Sequence, residues 1–557
     1  MFSLKNKKHN HLLLSPLIGA FLFCLNFLTF PLSSTAKETS EVITIDQIEV
    51  KILDIYSNEN TNWWQSLANK YHIKTKESVI LAALPFKTGD KVTSFQLREA
   101  ERLLRLKTYL RDATVRLSDN NILVVEVTES WSLLPTVNLN RTGGKNSSAF
   151  GIRDSNFLGL GISTTLRYQK DHQKSGYRTR ISAPLNSSKP SFVTLLLEEY
   201  DAGSQQSVSY TQPFYTIDTE EMYSAAVINS DLENTYYQND NEIGITQIDS
   251  ENILLKYAWL DKRFGATAKR QGVGLYTYSS NLLQLNNEEL IDLFKLREKF
   301  YLYWEWEQYQ SKFKILENIF ITGNKEDINF GTQSNYKLAI GEVSFVDNDF
   351  PMGNLSDSDL FKTSLSSSKM LKLDYSTSLA YQFADSLLFA SLRSNIELYK
   401  NKRFDNYYTA AYRLDFFQPI TNKVSFYAKN EFSYQSEHRT TPHSIGGDTG
   451  LRGFPVQYQY GKKRWLTSIE LRYYSDVELW ETFSFAWVTF VDFGRAWDND
   501  LTSNFESSHL SSIGIGARVF PLVTSGRHVI HIDLAKPSSS NPNLENWEWR
   551  VQVKNSF

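Results

Sequence analysis

The stretch Trp547-Glu548-Trp549-Arg550-Val551-Gln552-Val553-Lys554-Asn555-Ser556-Phe557 decides the fold. Read as a strand, it puts Trp547, Trp549, Val551, Val553 and Phe557 on one face and Glu548, Arg550, Gln552 and Lys554 on the other. Segments of this kind, about 10 to 13 residues each and separated by polar or glycine-containing turns, fill the chain from Trp131 onward. Residues 161–168, 423–435, 465–474, 509–520 and 527–535 are the clearest of them. A soluble sandwich also alternates, with its polar face in water. Here the polar faces carry charge in strand after strand, as a wet lumen requires, while the apolar faces end in Trp, Tyr or Phe, as the girdles at a bilayer interface do. Backbone groups in lipid must all be paired, so such strands must close into a barrel without edges. Residues 131–557, roughly 425 in number, supply about 16 strands with some long loops.

Composition agrees with that reading without deciding it. The 557 residues include 30 Tyr, 35 Phe and 12 Trp, yet mean hydropathy is only −0.38. That combination fits a wall in which every second residue meets lipid, and it also fits a secreted all-β protein. After residue 36 there is no run of about 18 apolar residues, which excludes a helical membrane protein. Lys5, Lys7 and Lys8 precede an apolar stretch at 12–30, and Ser34-Thr35-Ala36 follows it, so residues 1–36 read as a signal peptide. The alternative is an N-terminal membrane anchor, against which Pro16, Asn26 and the small residues that follow count. The only cysteine, Cys24, lies in that segment, so the mature chain has no disulfide. Formal charge is −3, or about −6 once the three lysines are removed, with no basic tract, which argues against nucleic acid as a partner.

Residues 43–129 have a different texture. A strand-like piece at 42–55 is followed by 61–71, which reads as an extra helix or insertion, and by a short helical segment at 76–84 ending before Pro85. Gly89-Asp90 makes a turn. The segment 94–110 has helical spacing, with Phe95, Leu97, Ala100, Leu103, Leu104 and Leu106 on one face and Ser94 as N-cap. Strand-like pieces at 113–117 and 121–127 complete a β-α-α-β-β order. With Phe86-Lys87-x-Gly89-Asp90 and Tyr109-Leu110-Arg111-Asp112-Ala113, this segment resembles a POTRA domain, the periplasmic module that precedes many transport barrels.

Glycine-rich Gly446-Gly447-Asp448-Thr449-Gly450-Leu451-Arg452-Gly453-Phe454 lies between two alternating segments. It carries an arginine, a permanent cation whose planar fork matches carboxylates. Alternation puts Glu470 and Asp492, in the segments just downstream, on lumen-facing positions. These features resemble the BamA/TamA-type superfamily, also called the bacterial surface antigen family. Leu451-Arg452-Gly453-Phe454, with Gly450, is similar to its Arg-Gly-Phe/Tyr motif at the tip of a long sixth extracellular loop. Asp492-Phe493-Gly494 with Trp497 is similar to its strand motif, and Asn156-Phe157-Leu158-Gly159 to its start-of-barrel motif. Phe557 resembles the terminal aromatic by which bacterial outer-membrane barrels are read for assembly.

The resemblance implies a mostly β fold: a C-terminal transmembrane antiparallel β-barrel preceded by a small α+β POTRA-like domain in the periplasm. It implies that the loop folds inward and that Arg452 pairs with Asp492, with Glu470 nearby. It further implies a non-enzymatic outer-membrane protein that inserts or translocates extended polypeptide clients, with lipids around the barrel and no cofactor. The strands at 133–141 and 547–557 would part, and Gly159 and Gly161 would mark bends near that seam. Dedicated secretion of one partner protein is the alternative, as is a non-enzymatic pore or lipid-handling barrel. Family secretion proteins usually have two POTRA domains and a plug helix, which this chain does not suggest. A barrel lipase would need a grouped Ser, His and acid. His528 and His531 lie three apart on a strand, and His438 and His443 sit in a polar loop without a nucleophile motif, so neither a catalytic nor a metal site is expected.

Overall fold

The computed structural model describes residues 42–56, 62–118, 121–142, 145–171, 174–185, 189–238, 241–286, 296–317, 319–320, 325–346, 365–437, 443–447, 450–480, 482–498, 508–522, 529–538, 544 and 546–554. The expected signal peptide at 1–36 and Phe557 therefore lie outside the described residues.

The N-terminal unit is a three-stranded sheet with helices against one face. Gln47–Leu53 runs parallel to Ile122–Glu129, which pairs antiparallel with Leu110–Leu117. The helices are Trp63–Tyr71, Glu77–Ala83 and Ser94–Arg105. Thr93, rather than Ser94, is the N-cap of the third: its side chain accepts from the Gln96 N–H, and Gln96 reaches back to the Thr93 N–H at 2.9 Å. That helix also stops earlier than its apolar spacing suggests. Leu106 caps it at the Arg102 carbonyl, because Tyr109 and Leu110 are needed in the core as the chain turns into its next strand. Ile80, Leu104, Leu110, Leu123 and Val125 are fully buried there, each large side chain contributing about 1.5–3 kcal/mol.

From Leu133–Thr142 to Glu548–Lys554, twenty antiparallel strands close into a barrel. This corrects the expected count of about 16. Many connections are too short to use up residues: Asp201-Ala202 alone joins Ser191–Tyr200 to Gly203–Gln212, and Gly265-Ala266 joins Asn241–Phe264 to Thr267–Leu285. Strands such as Asn241–Phe264 also outrun their alternating part. Their outward face is apolar at Ile253, Leu255, Tyr257 and Trp259 but polar at Gln247, Asp249 and Glu251. The hydrophobic pattern thus marks only part of each ladder, and the remainder reads as loop.

Faces divide cleanly along the strands after residue 463. Trp487, Ile513 and Ile515 point outward and are more than half exposed, whereas Glu470, Arg472, Asp492, Arg518 and Asp533 point inward and are buried. An apolar wall of this extent exceeds what a monomer exposes to water, and with a charged interior it is the division a lipid-embedded barrel requires. Ile340 is the most exposed outward isoleucine, at 63%. Ile340→Arg should lower folding stability in lipid vesicles by about 2–4 kcal/mol if the residue sits near the bilayer midplane. Urea titration of the refolded barrel measures this; an unchanged midpoint would remove Ile340 from the lipid-facing wall.

Candidate functional site

The connection from Val424–Gln435 to Lys463–Leu479 turns into the barrel rather than away from it. Two short strands within it, His443–Ile445 and Gln459–Gly461, pair with each other. Beyond them Ile445, Leu451, Phe454 and Tyr458 are buried against Leu466, Ala496 and Leu510 of the wall. Burial of those apolar groups draws the loop inward. The strand glycine Gly494 makes room for it, since a Cβ there would lie 2.2 Å from Ile445 Cδ1. Gly450 and Gly453 adopt left-handed backbone, at φ 116° and 85°, on either side of Leu451-Arg452. With twenty strands, this is the eighth connection on its side of the barrel instead of the expected sixth, and five strands still follow it. Asp448 and Thr449 lie outside the described residues.

The loop carries Arg452 into contact with both expected acids. Arg452 Nε donates to Asp492 Oδ2 and Nη2 to Oδ1, each at 2.6 Å, while Nη1 donates to Glu470 Oε1 at 2.9 Å. Ser468 Oγ accepts from Nη2 at 2.8 Å and donates to Asp492 Oδ1 at 2.6 Å. The Arg452 backbone N–H also reaches Asp492, and the guanidinium carbon stands 3.4 Å from the Phe490 ring centroid. Asp492 is fully buried, and Arg452 and Glu470 are 7% exposed. A forked, charge-assisted pair over an aromatic face is the arrangement in which arginine exceeds lysine.

Several partners at this site escape a motif-based reading. Arg472 grips the other oxygen of Glu470 at 3.0 Å and lies over the Tyr427 ring. Two strands on, Arg518 and Arg550 share Asp533 at 2.7 and 2.8 Å. Inward charges thus extend across the wall from the arginine loop to the last strand. The only sequence signal for Arg472, Arg518, Asp533 and Arg550 was their parity with the inward faces of their strands. Trp497 ends its strand beside Phe432, with ring centroids 6.3 Å apart, and does not join this cluster.

Asn156-Phe157-Leu158-Gly159 occupies another place, the turn where the N-terminal unit meets the barrel. Asn156 Nδ2 donates to Thr75 Oγ1 at 2.8 Å, and its Oδ1 accepts from the Gly161 N–H at 2.6 Å. Lys76 N–H donates to the Gly159 carbonyl at 3.0 Å. Gly159 has φ 71°, and a Cβ there would stand 2.3 Å from the Lys74 carbonyl oxygen, so only glycine permits this approach. Phe157 and Leu158 are exposed. Close by, Lys107 lies over the Phe192 and Tyr215 rings of the barrel's rim, and burial lowers its pKa to about 8.

No family model matches the chain, and no curated protein matches it. Solved structures similar to it include BamA from Haemophilus ducreyi lacking POTRA domains 1–3, at 12% identity and TM-score 0.42, covering 91% of this chain and 85% of that one. CdiB from Escherichia coli matches at 12% identity and TM-score 0.45, covering 95% and 93%. The ferric yersiniabactin uptake receptor FyuA from Yersinia pestis matches at 10% identity and TM-score 0.36, covering 78% and 80%.

Removing one partner of a buried ion pair costs about 3–5 kcal/mol, since the other charge is left stranded. Arg452→Ala and Asp492→Ala should each release the loop, and the double variant should cost less than the two effects added. Limited proteolysis of the refolded barrel reads this as faster cleavage within residues 436–462, with the barrel itself intact. Wild-type cleavage rates in both single variants would refute a docked loop.

Proposed function

We propose that this chain is a non-enzymatic outer-membrane barrel of the BamA/TamA-type superfamily, which inserts or translocates extended polypeptide clients. The N-terminal unit is read as its POTRA domain, standing in the periplasm and receiving the client by strand addition to a sheet edge. The observation that carries this reading is the inward loop whose Arg452 is held by Asp492, Glu470 and Ser468. A solvated turn would not bury a guanidinium among acids.

The seam supplies the route. Most neighbouring strands of the barrel pair along nearly their whole length, for example Tyr407–Pro419 with Val424–Gln435 from Thr409↔Gln435 to Pro419↔Ser425. First and last strands instead pair only at Arg550↔Asn140 and Val551↔Leu139 among the described residues. Among the described residues, few ladder bonds must break to part them. Pro135, in the first strand, has no N–H to leave unpaired and belongs to an edge rather than to a central strand. Arg550, which shares Asp533 with Arg518, stands at this junction, so the inward charges reach the strand that would move.

Leu139 and Val551 are register partners, and directly opposed residues lie within the Cα separation that a disulfide spans. In a Cys24→Ser background, Leu139→Cys/Val551→Cys should abolish function when oxidised and restore it when reduced. Proteomics of the outer membrane after replacement of the native protein provides the readout. Loss of a set of barrel proteins supports insertion, and loss of one exported protein supports dedicated secretion. An unchanged profile with the seam closed would overturn both.

A further inference from the structure

A second segment enters the lumen, from the side opposite the arginine loop. Phe313–Glu317 and Lys325–Asn329 form a two-stranded hairpin within the connection between Leu296–Gln310 and Gln333–Val346, on the rim where the N-terminal unit sits. Ile319 and Phe320, between its strands, reach barrel strands other than the two that the hairpin joins. Ile319 and Phe320 pack against Leu387, Phe389 and Phe417. Phe320 also packs against the cluster of Ala486, Phe520 and Val529. Those six wall residues lie on two adjacent strands and on three adjacent strands, with two strands between the groups, and Leu387, Phe417, Ala486, Phe520 and Val529 are buried inward-facing positions. The Phe320 and Phe389 ring centroids are 5.3 Å apart. Glu326, 2% exposed, accepts from the Ile319 and Phe320 N–H groups at 2.9 and 3.0 Å and so fixes the backbone that presents Phe320.

The N-terminal unit holds the outer side of the same hairpin. Arg105 forks onto Asp327, Nε to Oδ2 at 3.0 Å and Nη2 to Oδ1 at 2.9 Å. Arg102 stands 4.3 Å over the Phe313 ring. Both arginines belong to the last turn of the Ser94–Arg105 helix, which leads through one turn into Leu110–Leu117, an edge strand of the sheet. A displacement of that helix cannot leave the hairpin's anchor unchanged.

We propose that the hairpin of Phe313–Glu317 and Lys325–Asn329, with Ile319 and Phe320, is an autoinhibitory plug that closes the periplasmic mouth of the barrel, and that the N-terminal unit controls it through Arg105–Asp327 and Arg102–Phe313. Phe320 occupies an apolar acceptor on the wall, and withdrawal of the hairpin exposes that acceptor together with the charged lumen above it. The plug depends on the proposed function only for the bilayer in which the barrel sits. Its test needs no client, so its failure leaves the transport reading standing, and failure of client transport leaves the plug standing.

Ion conductance of the full-length protein in planar bilayers tests this, with heat-modifiable mobility on gels used to select folded protein. Four proteins are compared: wild type, Arg452→Ala, a variant with residues 312–331 replaced by a short Gly-Ser linker, and the two changes together. The combined variant should conduct severalfold more than Arg452→Ala alone; equal conductance overturns the plug. Should the linker variant fail to fold, Phe320→Cys/Phe389→Cys in a Cys24→Ser, Arg452→Ala background, joined by a bifunctional thiol cross-linker long enough to span the two ring positions, replaces it. Conductance should then be lower with the cross-link formed, verified by mass spectrometry, than without it, and identical conductance in the two states overturns the plug as well. Arg105→Asp should raise opening frequency, and adding Asp327→Arg should restore it. Indifference to both substitutions overturns control by the N-terminal unit.

Discussion

A guanidinium cannot give up its proton, so an arginine carried into a low-dielectric interior must find negative charge there. That requirement organises the barrel's final third. Arg452 reaches Asp492 only because Gly494 leaves space for Ile445, and because Leu451 and Phe454 bury themselves on the wall to either side. The acids in turn need more than one cation. Glu470 is shared between Arg452 and Arg472, and Asp533 between Arg518 and Arg550. Each charge placed on an inward position obliges its neighbours, and the inward face of five successive strands is thereby fixed. A one-residue register slip in any of them would turn these groups into lipid and the aromatics into the lumen, so the ion pairs also specify register.

What could be read from the sequence follows the same physics. After residue 463 each strand carries formal charge at one or more inward positions (Glu470, Arg472, Asp492, Arg518, Asp533, Arg550) and Trp, Phe or Ile at several outward ones, so alternation survives in the letters, and with it the pairing of Arg452 with Asp492 and Glu470. Between residues 191 and 399 the strands are longer than the apolar band they cross. Asp249 and Glu251 point the same way as Leu255 and Tyr257, so a count based on apolar alternation falls short of twenty. The segment 313–320, Phe-Lys-Ile-Leu-Glu-Asn-Ile-Phe, alternates no worse than a barrel strand. Nothing local says that it pairs with 325–329 and turns into the lumen instead. Its location is decided by Leu387, Phe417 and Phe520, residues far away in the chain. The start-of-barrel motif was visible, but its role as the joint to the N-terminal unit was not, since Thr75 and the Lys74 carbonyl meet Asn156 and Gly159 only in the folded chain.

Three closures of the barrel differ in what holds them, and the difference bears on how they open. The arginine loop is fixed by short charge-assisted bonds, which are directional and fail as a unit once the guanidinium is withdrawn. The hairpin is fixed mainly by apolar burial of Ile319 and Phe320, which is non-directional and is lost in proportion to the area exposed. The seam is held by the ladder at Arg550↔Asn140 and Val551↔Leu139, the only register pairs of these two strands among the described residues. In a bilayer, a parted seam leaves backbone donors and acceptors without water, and that cost falls once an incoming strand pairs with them. Under the proposed function, a client that supplies its own N–H and C=O groups is therefore the species best able to keep the seam apart.

The N-terminal unit touches both elements that such a client would have to displace. Its Thr75 and Lys76 hold the turn at Asn156–Gly159, one strand from the seam, and its Arg105 holds Asp327 of the hairpin. These contacts belong to one small sheet-and-helix unit whose core, from Ile45 to Val127, is continuous. A tightly packed core transmits displacement rather than absorbing it. Under the proposed function, strand addition at the sheet edge would move the Ser94–Arg105 helix and the 74–76 segment together, so release of the hairpin and strain at the joint next to the seam would follow from a single event.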